Sequence, residues 1–226
     1  MTTVLITGAN RGIGLEFARQ YAADGARVLA TCRDPDHAEA LKALADDVTV
    51  HRLDVIDFAG VDALAETLAG EAVDILVANA GMLSSGQRAG AVDFGIWEEE
   101  LKVNTMGPIK VALAFLPHLK RGTGRRIALL SSTLASIADN TSGAYIPYRS
   151  SKAGLNAAGR SLAADTAGDG MIVLMLHPGW VQTDMGGPHA AITPAVSVQG
   201  LRRVIAEAGA ENSGQFFAYD GRELPW

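Results

Sequence analysis

Short runs of apolar, β-branched residues alternate with longer amphipathic segments along the chain. A run such as Thr3–Thr7 predicts a strand that is buried on both faces. The segment 13–23, which places Phe17 and Tyr21 on one side, predicts an amphipathic helix that packs on a sheet. Strands and helices that alternate over short connections favour a mostly parallel sheet with helices on both faces.

The same pattern predicts seven strands and six helical stretches. The strands are expected near 3–7, 27–32, 48–52, 74–78, 126–131, 171–177 and 214–218. The helices are expected near 13–23, 37–45, 58–69, 96–119, 147–167 and 197–208. We therefore expect one α/β domain over residues 1–226, a Rossmann-type doubly wound parallel sheet of about seven strands with helices on both faces. Pro108 and Pro117 should end or bend the fourth helical stretch.

Composition narrows the class of protein. A chain of 226 residues with 48% hydrophobic and 19% charged residues is globular and long enough for one large core. A net charge of -6 argues against a general nucleic-acid partner, and the histidines show no metal-binding spacing. Cys32 is the only cysteine, which indicates a reducing compartment. We expect no signal peptide, because the sequence starts with the first strand and has no basic segment before a long apolar stretch. No apolar run approaches the roughly 20 residues that span a bilayer, so we expect a cytoplasmic protein.

A glycine-rich turn follows the first predicted strand. Gly8-Ala9-Asn10-Arg11-Gly12-Ile13-Gly14 connects that strand directly to a helix. Glycines let the backbone approach a pyrophosphate closely, and the helix N-terminus offers free N–H groups and a favourable dipole. The turn therefore predicts a dinucleotide site, with a tight turn that binds nothing as the alternative.

A second candidate element lies in the middle of the chain. The apolar run Ile75–Ala78 passes into Asn79-Ala80-Gly81. Ligands of doubly wound sheets bind beyond the carboxyl ends of the strands, where small residues leave room for a cofactor and an Asn side chain braces the neighbouring strands. An ordinary turn at the end of a strand remains the alternative.

Tyr148 and Lys152 are the strongest candidates for acid/base chemistry. Residues four apart lie on one face of a helix, so a phenol and an ammonium would point into one site. A neighbouring cation favours the phenolate and lowers the pKa of a phenol from about 10 toward the working range. The alternative is an ordinary solvated helix face, on which this pair is common.

Together these motifs resemble the short-chain dehydrogenase/reductase family over essentially the whole chain. The resemblance rests on Thr7–Gly14, Asn79–Gly81, Asn104, Ser132, Tyr148 with Lys152, and Pro178-Gly179, in this order. The chain further resembles the branch of sniffer-type carbonyl reductases and C-factor-like proteins. That narrower resemblance rests on Asp139–Gly143, Tyr148–Lys152, Leu176–Gly187 and Tyr219–Trp226.

The resemblance implies a dinucleotide cofactor held along one edge of the sheet. The implied cofactor-binding residues are Gly8, Asn10, Arg11, Gly12, Ile13, Gly14, Arg33, Asp54, Val55, Asn79, Ala80, Gly81, Tyr148, Lys152, Pro178, Gly179, Val181 and Thr183. Cys32 stands where NAD-preferring folds place an acid, and Arg33 follows it. With Arg11 this gives two guanidinium groups for a 2′-phosphate, which favours NADP(H). Asp34 and Asp36 add negative charge nearby, so NAD(H) is the alternative.

The resemblance also assigns four catalytic residues. Tyr148 would protonate the substrate carbonyl oxygen, and Lys152 would lower the pKa of Tyr148 and bind the nicotinamide ribose. Ser132 would hydrogen-bond the carbonyl oxygen. Only one of the adjacent Ser131 and Ser132 can face the site, because successive strand residues face opposite sides, and the resemblance implies Ser132, since the family's serine is usually the second of such a pair. Asn104 would hold a water or brace the helix and link Lys152 to solvent.

These residues predict an NADPH-dependent carbonyl reductase or alcohol dehydrogenase that acts on a ketone or aldehyde. Two alternatives are a dinucleotide-binding signalling or redox-sensing protein and a structural oligomer component with a vestigial site. The substrate region is expected at 184–197 with 84–95, where the loop at 186–194 could close over a substrate.

Three further expectations concern surfaces. Trp180 and Met185 line an apolar pocket or pack in the core. The Glu98–Glu100 run forms a solvated helix face. The resemblance implies that helices at 96–119 and 147–167 could form a two-fold four-helix interface of a homodimer or homotetramer, as they often do in this family, with a monomer as the alternative.

Overall fold

Seven parallel strands form one sheet in the computed structural model, which describes residues 1–44, 47–84 and 87–226. The strands are β1 (Thr3–Thr7), β2 (Arg27–Cys32), β3 (Val48–Arg52), β4 (Ile75–Ala78), β5 (Arg126–Leu130), β6 (Ile172–His177) and β7 (Phe216–Ala218). They lie in the order β3-β2-β1-β4-β5-β6-β7, and each neighbouring pair is parallel. The predicted doubly wound sheet is confirmed.

Within the described ranges, seven α-helices accompany the strands. They are α1 (Gly12–Ala23), α2 (Glu39–Lys42), α3 (Phe58–Thr67), α4 (Phe94–Leu101), α5 (Gly107–Arg121), α6 (Ile146–Thr166) and α7 (Pro194–Glu207). Short 3₁₀ turns lie at Thr133–Ala135, Ala167–Asp169 and Ala210–Asn212. The helix predicted at 37–45 is only the single turn α2, and residue 45 lies outside the described residues.

The stretch predicted as one helix at 96–119 is divided. A π-helical segment, Lys102–Met106, joins α4 to α5. The division falls just before Pro108, whereas Pro117 does not end α5. Pro108 occupies the first turn of α5, where a missing N–H costs least. Pro117 lies with its ring exposed, and α5 continues beyond it to Arg121.

Two apolar layers cover the two faces of the sheet. Ile6 of β1 packs in one cluster with Phe17 of α1 and Leu201 of α7. The next residue along the strand, Leu5, packs in the other cluster with Phe115 of α5 and Leu155 of α6. This alternation follows from the two-residue period of a strand, and it explains why β1 is buried throughout. Among the described residues, no helix combines the length and the apolar character needed to cross a membrane.

The buried carboxylate of Asp74, which lies just before β4, joins its own segment to Thr3 at the start of β1 and to Thr123 and Gly124 before β5. Asp74 Oδ2 accepts a hydrogen bond from the Thr3 N–H at 2.8 Å. Its Oδ1 accepts from Thr123 N–H at 2.7 Å, from the Thr123 hydroxyl at 2.9 Å and from Gly124 N–H at 3.1 Å. Burial raises the pKa of Asp74, but these four donors outweigh burial and hold the pKa below its ordinary value of 3.8.

We expect Asp74→Asn to lower the free energy of unfolding by about 2–3 kcal/mol at pH 7, because an amide cannot accept all four bonds. Because folding lowers the pKa of Asp74, its ionised carboxylate contributes its full stabilisation of the folded protein above pH 3.8, the ordinary pKa. This contribution is lost as the pH falls through the lower pKa of the folded protein. The wild-type protein should therefore lose more stability than the variant between about pH 5 and pH 2. Urea unfolding across this range measures both effects, with the exposed Asp165→Asn as control. Equal losses in both proteins would contradict the assignment.

Candidate active site

The candidate site lies at the carboxyl ends of the central strands. The winding direction of the sheet reverses between β1 and β4, so the connections after these strands leave toward opposite faces and open a crevice. The glycine turn follows β1, and Asn79 follows β4. The two motifs that are 65 or more residues apart in sequence thus meet at one edge of the sheet.

The glycine turn has the geometry of a phosphate cradle. Gly8 and Gly12 have φ values of 64° and 54°, a region that favours glycine. A Cβ at Gly14 would lie 2.2 Å from the Gly8 carbonyl oxygen. Helix α1 begins at Gly12, and among the described residues no side chain caps its first turn. The free N–H groups therefore fit the pyrophosphate of a dinucleotide.

Asn79 fastens this cradle to the end of β4. Its Nδ2 donates to the carbonyl oxygens of Thr7 at 2.9 Å and Gly8 at 3.0 Å. The Thr7 hydroxyl accepts from the backbone N–H groups of Asn79 at 3.0 Å and Ala80 at 3.1 Å. The predicted bracing between strands is therefore present, and it fixes the floor of the crevice.

The residues expected around the adenosine lie at the ends of β2 and β3. Cys32 is buried at the end of β2, whereas Arg33 is exposed beside it. Asp34 hydrogen-bonds His37 at 2.7 Å, which raises the pKa of that imidazole and offsets the charge of Asp34 when His37 is protonated. Asp54 follows β3 and is half-buried.

Arg11 takes a partner on the other side of the crevice. Its guanidinium pairs with Asp184 at 2.6 Å, and both side chains are largely exposed. A Cβ at Gly12 would lie 3.3 Å from Thr183 Cγ2, so this covering loop closely approaches the glycine turn. An exposed pair of this kind contributes little stability and leaves Arg11 available to a phosphate.

Tyr148 and Lys152 lie together on the buried face of α6. Lys152 Nζ donates to the Leu130 carbonyl oxygen at 2.7 Å and lies 6.0 Å from the centre of the Tyr148 ring. The sequence predicts that Lys152 lowers the pKa of Tyr148, but burial dominates and raises it to about 12. Burial also lowers the pKa of Lys152, to about 8. A phenol with this pKa is protonated at neutral pH, the state that a proton donor needs.

The two adjacent serines have different surroundings. Ser131 donates its hydroxyl to Asn156 Oδ1 at 2.6 Å, behind the site. Ser132 accepts from the Leu134 N–H at 3.1 Å, and its hydroxyl lies close enough to Tyr148 to favour the phenolate. Of the pair, the structure therefore brings Ser132 to the phenol.

Asn104 lies in the π-helical segment and braces the site. Its Oδ1 accepts from Met82 N–H at 2.9 Å, while its Nδ2 donates to Met82 O at 2.8 Å and to the Ser151 hydroxyl at 3.0 Å. A Cβ at Gly81 would lie 3.1 Å from Asn104 Oδ1 and 3.5 Å from Lys152 Nζ. Asn104 and Lys152 thus converge on Gly81, and π-helical turns often mark such functional positions.

The connection from β6 to α7 covers the crevice. Pro178 and Gly179 begin it, and Gly179 has a φ of 86°. Val181 is buried, and the Thr183 hydroxyl accepts from Gly186 N–H at 3.1 Å. The expected substrate region at 184–197 includes the first turn of α7.

Three apolar side chains near the candidate site are exposed. For two of them, Trp180 and Met185, the expectation from the sequence is either that they line an apolar pocket or that they pack in the core. Trp180 is 58% and Met185 49% exposed, which excludes the core-packing alternative. Phe94 of α4 is 75% exposed, and its ring is tilted by 30° against that of Trp97, with ring centres 5.7 Å apart. Residues 85 and 86 of the other expected substrate segment, 84–95, lie outside the described residues.

Sequence reasoning missed two residues beside the site. Glu100 was assigned to a solvated face, but it is fully buried, so that prediction is wrong for this residue. Its spacing of four from Asn104 was the signal that places both on one face. Arg149 binds the carbonyl oxygens of Gly143 at 3.2 Å, Ala144 at 3.1 Å and Leu134 at 3.3 Å, and so holds the loop before α6.

The fold and this site define a dinucleotide-dependent oxidoreductase, and the comparisons identify its family. The profile described as short chain dehydrogenase matches residues 2–191, so the chain belongs to this family. It is 45% identical to C-signal of Myxococcus xanthus over 154 residues, which are 68% of this chain and 93% of that protein.

Two solved structures resemble the whole chain. Carbonyl reductase Sniffer of D. melanogaster has 34% identity and a TM-score of 0.95, with 100% of both chains covered. The NADPH-bound carbonyl reductase from chicken fatty liver has 34% identity and a TM-score of 0.93, with 100% of this chain and 99% of that one covered. The predicted membership of the family, and the resemblance to the sniffer and C-factor branch, are confirmed.

Proposed function

We propose that this protein is an NADPH-dependent carbonyl reductase that reduces a ketone or aldehyde. The observation that carries the proposal is the convergence of Ser132, Tyr148 and Lys152 at the end of a crevice that begins with a phosphate cradle. Such a site aligns a proton donor with the reactive end of a dinucleotide. The carbonyl reductases among the similar structures support this reaction class.

NADPH fits the charges at the adenosine end of the crevice. Arg33 is exposed beside the end of β2, where Cys32 replaces the acid that selects NAD. Arg11 would contribute a second guanidinium to the 2′-phosphate, which requires it to leave Asp184. The chicken liver enzyme, described as NADPH-bound, supports the same choice. When bound, NADPH supplies the hydride.

The chain supplies the proton and the orientation. Tyr148 donates its phenolic proton to the carbonyl oxygen as that oxygen gains negative charge. Ser132 accepts from the Leu134 N–H through Oγ, and its hydroxyl hydrogen, which favours the Tyr148 phenolate in the absence of substrate, would donate to the same carbonyl oxygen when a substrate binds. Lys152, which has three donors and uses one on Leu130, would bind the nicotinamide ribose with another.

The proton lost by Tyr148 must be replaced from solvent. Lys152 has a pKa of about 8, so it exchanges protons readily near neutral pH. Asn104 holds the backbone of Met82 and the Ser151 hydroxyl beside this ammonium. We propose that a water on Met82 or Asn104 completes the path, as the resemblance implies.

The substrate is expected to be fairly apolar. Phe94 and Trp97 from α4 and Trp180 and Met185 from the covering connection offer aromatic and thioether surface at the mouth of the site. Exposed groups of this kind mark binding surfaces more often than structural ones. An aromatic or branched carbonyl would bury them.

The likeness to C-signal raises the alternative of a signalling or redox-sensing protein. A protein that only binds a dinucleotide has no need for a buried phenol beside an ammonium. The complete set of Asn104, Ser132, Tyr148 and Lys152 therefore favours turnover.

The test is oxidation of NADPH and, separately, NADH in the presence of aldehydes, diketones and quinones. We expect turnover that favours NADPH and yields the corresponding alcohol. Tight cofactor binding without turnover on any of these substrates would instead favour the sensing function.

A further inference from the structure

Glu100 is a fully buried carboxylate at the edge of the candidate active site. It lies near the end of α4 with 0% of its surface exposed, although its neighbours Glu98 and Glu99 are exposed. Acidic side chains are seldom buried without a compensating partner. The position of Glu100 therefore requires an explanation that a solvated helix face does not give.

The contacts of α4 place Glu100 against the catalytic turn of α6. Trp97 Nε1 donates to the Ser150 hydroxyl at 2.7 Å, and Asn104 Nδ2 donates to the Ser151 hydroxyl at 3.0 Å. Glu100 lies three residues after Trp97 and four before Asn104, on the same helical face. It is thus held between two anchors to the turn that follows Tyr148.

One carboxylate oxygen holds the loop after β4. Glu100 Oε1 accepts from Ser84 N–H at 2.7 Å and from the Ser84 hydroxyl at 2.6 Å. Asn104 holds the backbone of Met82 in the same loop, since its Oδ1 accepts from the N–H and its Nδ2 donates to the carbonyl oxygen. Four residues of a helix rise about 6 Å, and alternate residues of an extended chain lie roughly 6.6 Å apart. The spacing of Glu100 and Asn104 on the helix therefore matches the spacing of Ser84 and Met82 in the loop.

The other carboxylate oxygen is the unusual one. Glu100 Oε2 is buried and has no hydrogen-bond partner in the part of the chain that the structure describes. A negative charge on this carboxylate acts on nearby ionisable groups with little screening by solvent. Burial is the largest influence on the pKa of Tyr148, which it raises, and on the pKa of Lys152, which it lowers. The charge of Glu100 raises the pKa of both residues, and Ser132, which follows β5, lowers the pKa of Tyr148.

We propose that Glu100 is a positioning residue whose buried carboxylate anchors the 82–84 loop through Oε1 and, through its negative charge, biases the Tyr148–Lys152 pair toward carbonyl reduction over alcohol oxidation. This inference rests on the proposed reductase function. Reduction needs a protonated Tyr148, whereas oxidation needs the phenolate. A negative charge beside the pair favours the protonated forms of both residues, and therefore favours the reductive direction.

Glu100→Gln removes the negative charge but keeps the hydrogen bonds to the 82–84 loop, because the amide oxygen of glutamine still accepts from Ser84. We expect the alkaline limit of reduction and the acid limit of oxidation to move down by about half a pH unit or more, raising the oxidation-to-reduction rate ratio near pH 8 by about threefold. Glu99→Gln is the matched control, since it makes the same change at an exposed position of the same helix. Ser84→Ala weakens the anchor but keeps the charge, so it should leave both limits in place.

A second measurement does not depend on turnover. The chain has five lysines, and ¹³C NMR of labelled lysine follows each of them through a pH titration, with Lys152→Arg to assign the signal. The Lys152 midpoint, near 8 in the wild type, should fall in Glu100→Gln. Glu100→Thr, which is uncharged and also offers an acceptor, replaces it if the first variant does not fold.

Different results would contradict the role of Glu100 and the carbonyl reductase function. If folded Glu100→Gln keeps the wild-type pH limits or the wild-type Lys152 midpoint, the role of Glu100 is wrong although the enzyme is a reductase. The same conclusion follows if Ser84→Ala moves the limits as much as Glu100→Gln does. A wild-type protein that reduces no carbonyl overturns the proposed function itself, whereas the Lys152 midpoint still tests the charge of Glu100.

Discussion

Tyr148→Phe should lower kcat for carbonyl reduction by about 10²–10⁴-fold, the range expected when a general acid is removed. The phenol is nearly buried and has a pKa of about 12, so it holds its proton at neutral pH until the carbonyl oxygen accepts it. Phenylalanine keeps the ring and its packing on α6. Affinity for NADPH should therefore stay within about twofold of the wild-type value.

The matched control is Tyr145→Phe. Tyr145 lies three residues earlier, at the start of α6, and is 37% exposed. Single-turnover kinetics and cofactor fluorescence separate chemistry from binding. If Tyr148→Phe keeps substantial turnover, or if Tyr145→Phe loses as much, Tyr148 is not the proton donor.

Arg33→Asp should reverse the choice of cofactor. The exposed guanidinium after β2 would meet the 2′-phosphate of NADPH, and an aspartate there would repel that phosphate and accept from the ribose hydroxyls of NADH. We expect kcat/KM for NADPH to fall by about 10²-fold or more, which corresponds to roughly 3 kcal/mol. The value for NADH should change little or rise.

Arg33 is a better test than Arg11, whose replacement would also break the ion pair with Asp184 and disturb the covering connection. Arg203→Asp makes the same charge change at an exposed position of α7 and should affect the two cofactors equally. If Arg33→Asp also affects both equally, the phosphate assignment is wrong.

Local sequence patterns determined most of the fold. The strands at 3–7, 27–32 and 48–52 were predicted to the residue. For β1 and β2 the reason is that a buried parallel strand needs a nearly continuous apolar run, whereas β3 is a partly exposed edge strand. The glycine turn was predictable because strand, glycines and helix follow one another directly. The order and spacing of Asn104, Ser132, Tyr148 and Lys152 identified the family, since such an ordered set rarely arises by chance.

The tertiary structure decided what each polar side chain meets. Sequence placed Glu100 on a charged face, but the packing of α4 on α6 buries it between Trp97 and Asn104. Sequence expected Lys152 to lower the pKa of Tyr148, but the burial of the phenol outweighs that effect. Periodicity reports which residues share a face, because helix and strand geometry is local. Burial, hydrogen-bond partners and pKa values depend on segments far apart in the chain, and only their packing sets them.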